Sequence, residues 1–404
     1  MQFTVERVVY GGLGMGQSPH NMAVFVPFVM PGEVVSAKVI KEKPSYARAE
    51  LLSVDRPHPQ RLSPPCPHFG TCGGCHYQHI PYGLQTEFKR QIFIEQLQRL
   101  AHINKPFIRA VIPSKLEWGY RNSLQFSLNK QGNLCFADIY TNKLFPVQEC
   151  YLPMEEVDHI WRLTEFEEGV RVQRVEFRQN QIGNLMMILH GGGKQLPQLA
   201  SESRLSIVHL DGNDVIVMAG EGSLQMEAFQ RQFKVSAASF FQINFSAAEA
   251  LAKEVVNIIQ VEGISHLLDV YCGVGFFSAL LAGALESLTG VESSASACGD
   301  FVENMDEFDN VALFQGKAEH ILPELPPDYD GILVDPPRSG LKEEVIQSII
   351  RLCPKLLVYV SCNPATLARD AKRLIKGGYR LESSTIVDMF PQTFHIESIN
   401  VFKR

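Results

Sequence analysis

The chain has 404 residues, 45% of them apolar and 20% charged, an ordinary balance for a globular protein and too long for one core, so two or three domains are expected. The net charge of −7 excludes a uniformly basic nucleic-acid binder, yet residues 1–150 carry 16 Lys and Arg against 10 Asp and Glu, while residues 151–404 carry 21 against 34, so a polyanion would meet mainly the N-terminal part. No apolar run is long enough to span a membrane, Met1-Gln-Phe-Thr-Val-Glu-Arg7 does not resemble a signal peptide, and nine cysteines without disulfide-like spacing fit a cytoplasmic monomer with metal-binding or catalytic thiols.

Residues 1–56 hold short strand-like runs at 3–9, 22–29, 33–40 and 47–54, with turns at Gly11-Gly12, Pro31-Gly32 and Pro44. Short, closely spaced strands predict a small barrel of the OB type. Gly11-Gly-Leu-Gly-Met-Gly16 lacks the G-x-G-x-x-G spacing and leads into a strand, so it is not a phosphate loop. The Gly11-Gly-Leu-Gly14 and Val26-Pro-Phe-Val-Met-Pro-Gly-Glu33 stretches resemble a TRAM domain, an RNA-binding module.

Residues 57–235 read as a β-rich central domain. Pro57, Pro59, Pro64, Pro65 and Pro67 mark a linker, followed by Cys66-x5-Cys72-Gly-Gly-Cys75. The two glycines let the backbone wrap so that both flanking thiols face one centre. A fourth ligand must come from Cys135 or Cys150. Zinc ribbons usually supply two C-x2-C knuckles, and only one is present here. Three clustered thiols plus a distant fourth suit a 4Fe–4S cluster better than zinc, and the spacing is not that of radical enzymes. Residues 82–100 predict a helix with Leu84, Phe88, Ile92 and Leu97 near helical spacing, and Lys89, Arg90 and Arg99 as candidate phosphate contacts. Strands follow at 120–128, 134–138, 174–178, 184–190, 206–210 and 214–219. Arg121 and Asn122, at a strand entrance, are either RNA contacts or plain surface hydrogen bonders.

Residues 236–404 change to alternating helix and strand. Ser246-Ala-Ala-Glu249 reads as a capping box opening a helix to about residue 260. Strands at 265–271, 287–291, 310–314, 331–334 and 356–360, with further candidates at 379–387 and 397–402, predict a parallel, doubly wound α/β sheet. Asp269-Val-Tyr-Cys-Gly-Val-Gly275 is a tight glycine loop between strand and helix, and Glu292 ends the second strand, where a carboxylate accepts from ribose hydroxyls. The third glycine of the dinucleotide fingerprint is missing, which favours S-adenosylmethionine. In Asp335-Pro-Pro-Arg-Ser-Gly340, Arg338 takes the place where amine-directed methyltransferases often carry an aromatic, leaving carbon methylation open. Cys362, at the end of the 356–360 strand, is either a nucleophile or a buried, inert thiol.

Phe240-Phe-Gln-Ile-Asn244, the Asp269–Gly275 loop, Asp335-Pro-Pro-Arg-Ser-Gly340, Ser361-Cys-Asn-Pro-Ala-Thr-Leu-Ala-Arg-Asp370 and Asp388-Met-Phe-Pro-Gln-Thr-Phe-His-Ile-Glu397 occur in that order. Together they resemble the RNA uracil-5-methyltransferase family. The Cys66, Cys72, Cys75 and Cys150 set and the TRAM-like start resemble its ribosomal-RNA branch. The resemblance implies a Rossmann-like class I methyltransferase domain. It implies Cys362 as nucleophile, Glu397 as the base for the C5 proton, and Gln242, Tyr271, Glu292 and Asp335 as S-adenosylmethionine contacts. It selects Cys150, not Cys135, as the fourth cluster ligand. The implied activity is methylation of uridine C5 in 23S rRNA. The alternatives are a uridine of the tRNA T-loop, a methyltransferase acting on an amine or a protein, and a non-catalytic RNA-binding iron–sulfur protein.

Overall fold

The computed structural model describes residues 1–18, 20–193, 205–212 and 214–404. Strands Gln2–Val9, Leu13–Gln17, Ala23–Pro27, Val34–Lys43 and Tyr46–Arg56 close into a barrel. Its interior is filled by alternate residues, among them Phe3, Val5, Val24, Val26, Val35, Ala37, Ala47 and Ala49. Four strands were expected; the fifth, Leu13–Gln17, lies within the glycine run. A Cβ at Gly14 would stand 2.2 Å from Val29 Cγ2, and one at Gly16 2.3 Å from the Thr4 carbonyl. These glycines let strands pack closely and do not cradle a ligand.

The central sheet has seven strands, in spatial order Asp214–Ala219, Leu205–Asp211, Leu185–His190, Arg174–Gln179, Ser123–Leu128, Leu134–Ala137 and Leu144–Pro146. Leu124, Phe126 and Leu128 share its core, as the alternation predicts, with Val157, Ile160 and Trp161 of helix Glu155–Leu163. That helix, only nine residues long, and the hairpin Ser223–Ala228/Arg231–Ser236 carry too few periods to stand out in the sequence.

The C-terminal sheet has eight strands, in the order Val311–Gln315, Ser287–Glu292, His266–Val270, Gly331–Val334, Leu356–Ser361, Glu397–Lys403, Arg380–Val387 and Ile108–Ile112. The first five are mutually parallel. Glu397–Lys403 is antiparallel to both neighbours, correcting the expectation of a wholly parallel sheet. Nine residues link it to Arg380–Val387, too few for a parallel crossover. The edge strand Ile108–Ile112 pairs parallel with Arg380–Val387. Helix Tyr82–Ala101 shares a core with helices Glu343–Leu352 and Pro364–Lys376. Residues 82–112 therefore pack with this sheet, although the sequence grouped them with the central region.

Helix Phe245–Val261 is capped by Asn244, whose side chain accepts from Ala247 N–H. This replaces the expected Ser246/Glu249 box: Ser246 Oγ donates to Asn244 Oδ1 at 3.2 Å, and Glu249 accepts from Phe229 N–H at 3.4 Å. Among the described residues no helix is long and apolar enough to cross a membrane.

Candidate active site

Strand Leu356–Ser361 is buried along its whole length. It stops because Asn363 turns the chain into helix Pro364–Lys376, its side chain accepting from Ala365 and Thr366 N–H, with Pro364 in the first helical turn. Cys362 sits in that turn. In the antiparallel ladder Val360 faces Ile399 and Ser361 faces Ser398. The last pair of the ladder, Ser361 and Ser398, stands one residue before Cys362 and one residue after Glu397, and the Glu397 carboxylate is near enough to raise the Cys362 pKa. On the other side, Val334 pairs with Tyr359, so Asp335 ends the neighbouring strand. Three adjacent strand termini thus present Asp335, Cys362 and Glu397 together.

Their electrostatics follow from that crowding. Glu397 is buried, and burial, then Asp335, raises its carboxyl pKa well above the ordinary value, with Arg338 opposing. Asp335 is pushed up to about 7 by burial and then by Asp269. The half-buried Cys362 thiol is pushed up to about 12 by burial, then by Glu397 and Asp335, with Arg338 opposing. Tyr10, from the turn after the first barrel strand, is held up in pKa by burial and then by Cys362, and meets the Phe394 ring edge-on at 5.6 Å. His395 lies 4.4 Å from Phe394 between ring centroids and 3.5 Å from the Arg338 guanidinium. Burial, then Arg338, depresses His395 to about 3, so it is neutral. Sequence reasoning left out Tyr10; nothing but its place before Gly11-Gly12 set it apart.

The cofactor loop leaves strand His266–Val270 with Tyr271, Gly273 and Gly275 at φ of 66°, 57° and 87°. A Cβ at Gly275 would come 3.0 Å from Met305 and Phe301, whereas the ground above Gly273 is open. The Glu292 carboxylate accepts from Gly273 N–H at 3.1 Å, Ser293 N–H at 2.6 Å and Ser294 N–H at 2.7 Å. Beneath the loop, Asp269 accepts from Ser278 Oγ at 2.6 Å, its Oδ1 has no partner, and burial pushes it up to about 7. Tyr271, Glu292 and Asp335 end three adjacent strands. Open backbone flanked by carboxylates is the chemistry needed to hold a nucleoside ribose and a cationic sulfur. Gln242 arrives on a separate strap, whose backbone carbonyl accepts from Asn122 Nδ2 at 2.8 Å. Asn122 is 2% exposed, so it braces this strap and does not meet RNA. Lys89, read as a phosphate contact, is buried as well and pairs with Asp388 at 2.6 Å.

Cys66, Cys72, Cys75 and Cys150 line one cavity of about 380 Å³, together with Arg121. Cys135 points elsewhere and donates to the Asn133 carbonyl at 3.3 Å. Cys75 is pushed up to about 12 and Cys150 to about 11, chiefly by burial, with Arg121 opposing. Arg121 therefore belongs to this cavity; among the described residues its buried Nε has no hydrogen-bond partner. Among the described residues, no three His, Cys, Asp or Glu side chains close around a single-ion position. The donor set of this cavity is all sulfur, the ligand chemistry of structural zinc and of iron–sulfur clusters alike.

Residues 327–404 match the family model described as tRNA (Uracil-5-)-methyltransferase, and residues 2–52 match the TRAM domain. An uncharacterized RNA methyltransferase of Aquifex aeolicus (strain VF5) is 34% identical over 417 residues, covering 99% of this chain and 97% of that protein. Another, from Halalkalibacterium halodurans, is 31% identical over 443 residues, covering 100% of this chain and 96% of its own length. The crystal structure of Pyrococcus abyssi tRNA (uracil-54, C5)-methyltransferase with S-adenosyl-L-homocysteine matches with a TM-score of 0.78 over 100% of both chains at 23% identity, so the two share a fold. With relatives matching end to end, the chain belongs to the RNA methyltransferase family, and its residues 327–404 carry the match to the uracil-5-methyltransferase model.

Proposed function

We propose that this protein converts a uridine of 23S rRNA to 5-methyluridine, with Cys362 as nucleophile and Glu397 as base. What supports the chemistry is that Cys362 and Glu397 flank the last ladder pair, Ser361 and Ser398, with Glu397 raising the Cys362 pKa. Uracil C5 is a poor nucleophile, and covalent addition divides one hard step into easier ones. The target base leaves its stack to enter the site. Cys362 loses its proton to solvent as its sulfur bonds to C6, and the electron pair of the C5–C6 double bond moves out to form an enolate. S-Adenosylmethionine supplies the methyl group as an electrophilic carbon to C5. Glu397, ionised, removes the remaining C5 proton; the double bond re-forms, the C6–S bond breaks, and Cys362 leaves as thiolate. Arg338 is the charge that favours both ionised forms at this edge. Gln242, Tyr271, Glu292 and Asp335 hold the cofactor.

Cys66, Cys72, Cys75 and Cys150 would hold a 4Fe–4S cluster. Its contribution there is a covalent tie between the 66–75 loop and the chain at Cys150, and no electron transfer is required. The choice of 23S rRNA rests on this thiol set joined to the N-terminal barrel. The second reading is a tRNA uridine, favoured by the name of the family matched at residues 327–404.

Mapping 5-methyluridine in ribosomal RNA and tRNA from a strain lacking the gene separates the two. Loss at a 23S position is expected, and loss in tRNA alone overturns that choice. Glu397→Gln should trap a covalent protein–RNA adduct, with turnover down on the order of 10²–10⁴-fold, because addition and methylation precede the base step. A folded variant that forms no lasting adduct removes Glu397 from this role.

A further inference from the structure

The segment 388–396 delivers Glu397 to its rung, and the chemistry above makes no use of the groups that hold it. Lys89 Nζ donates to Asp388 Oδ1 at 2.6 Å and to the Phe390 carbonyl at 2.9 Å. Lys89 and Asp388 are each 1% exposed. Four residues earlier on the same face of the helix, Gln85 makes a reciprocal pair with Gln392. Its Nε2 donates to Gln392 Oε1 at 3.0 Å, and its Oε1 accepts from Gln392 N–H at 3.0 Å. The Gln392 carbonyl accepts from His76 N–H at 2.8 Å and Tyr77 N–H at 3.0 Å. Gln392 has φ of 66°, a left-handed conformation that a side-chain-bearing residue keeps only where its surroundings impose it. Tyr120 and Asn244 bind the carbonyls of Pro391 and Met389 at 3.0 and 3.2 Å.

A buried ion pair is weak evidence for stability, because a well-packed apolar pair usually does as well or better. What it supplies here is one defined path for nine residues. We infer that Lys89 and Gln85 are positioning residues for proton removal: they latch the 388–396 segment onto helix Tyr82–Ala101 so that Glu397 stays beside Cys362. This inference rests on Glu397 being the base. The latch acts late in the reaction, since addition by Cys362 needs only the strand Leu356–Ser361 and the turn after it.

The test uses single turnovers of the full-length protein with a target RNA fragment and S-adenosylmethionine. Two variants are compared with wild type: Gln85→Leu, and the double variant Lys89→Met/Asp388→Leu, which removes both buried charges together. Adduct formation is expected within about threefold of wild type and KM for RNA unchanged, while decay of the methylated adduct slows about tenfold or more. Equal slowing of formation and decay, slowing in proportion to the fall in melting temperature, or no slowing at all would each reduce the latch to ordinary packing. Glu397→Gln is run in parallel. If it fails to accumulate adduct, the assignment of the base falls. If it accumulates adduct and the latch variants do not, this inference alone falls.

Discussion

The two thiol sites are built by opposite means. Cys362 stands at the end of a buried strand, where burial and then the acids Glu397 and Asp335 raise its pKa, with Arg338 opposing. The 66–75 loop gathers three thiols by wrapping its backbone, takes a fourth from Cys150, and sets them beside Arg121. One site holds a single thiol towards its protonated form. The other concentrates donors that are costly to bury ionised unless a metal neutralises them. A cysteine's use is set by the charges and number of its neighbours more than by its own burial, for Cys75 is the more buried of the two and Cys362 the more exposed.

The largest expected effect breaks the first site. Cys362→Ala should abolish release of tritium from 5-tritiated uridine in RNA, a loss on the order of 10⁴-fold or more, and retained turnover would end the covalent mechanism. Next, Cys72→Ser in anaerobically purified protein should lose iron and acid-labile sulfide and lower activity roughly ten- to a hundredfold. A cluster-free variant that folds and methylates at the wild-type rate would separate the two sites completely. The smallest effect is on stability against pH. Asp335 and Glu397 hold their protons to higher pH in the folded chain than their ordinary values of 3.8 and 4.5. The folded state therefore binds more protons than the unfolded one, and stability falls as pH rises from the ordinary carboxylate range towards about 7, the value at Asp335. Glu397→Gln removes one of these groups. Its melting temperature should gain on wild type by about a few degrees across that window, with the gain vanishing below the ordinary carboxylate range. A parallel course of the two curves would show that Glu397 titrates normally.

The sequence made the strand-end site legible because each member ends or begins a short apolar run: Val334 before Asp335, Ser361 before Cys362, and Glu397 itself opening the last strand. Local spacing grouped Cys66, Cys72 and Cys75; Cys150 needed the family resemblance, since Cys135 is nearer in the chain and is separated from the cavity by where it points. What escaped is non-local. Lys89 looks like any helical lysine until Asp388, 299 residues away, is seen against it. The fifth barrel strand was masked by glycines kept for close packing, and Ile108–Ile112 was too short to announce that it joins a sheet formed almost 300 residues later.

The ladder that ends beside Cys362 and Glu397 has a consequence for how this chain tolerates change. The 34 residues between them form a helix, a strand and a turn, yet their separation is set by the cross-strand hydrogen bonds of Leu356–Ser361 and Glu397–Lys403. Extra residues at Gly378, exposed after the helix, would leave that separation unchanged, as would any bending of the sheet that carries both strands together. A frame shift of one residue within either strand would instead send the thiol and the carboxylate to opposite faces. The spacing of the reacting groups is thus insured against insertions and exposed to slips.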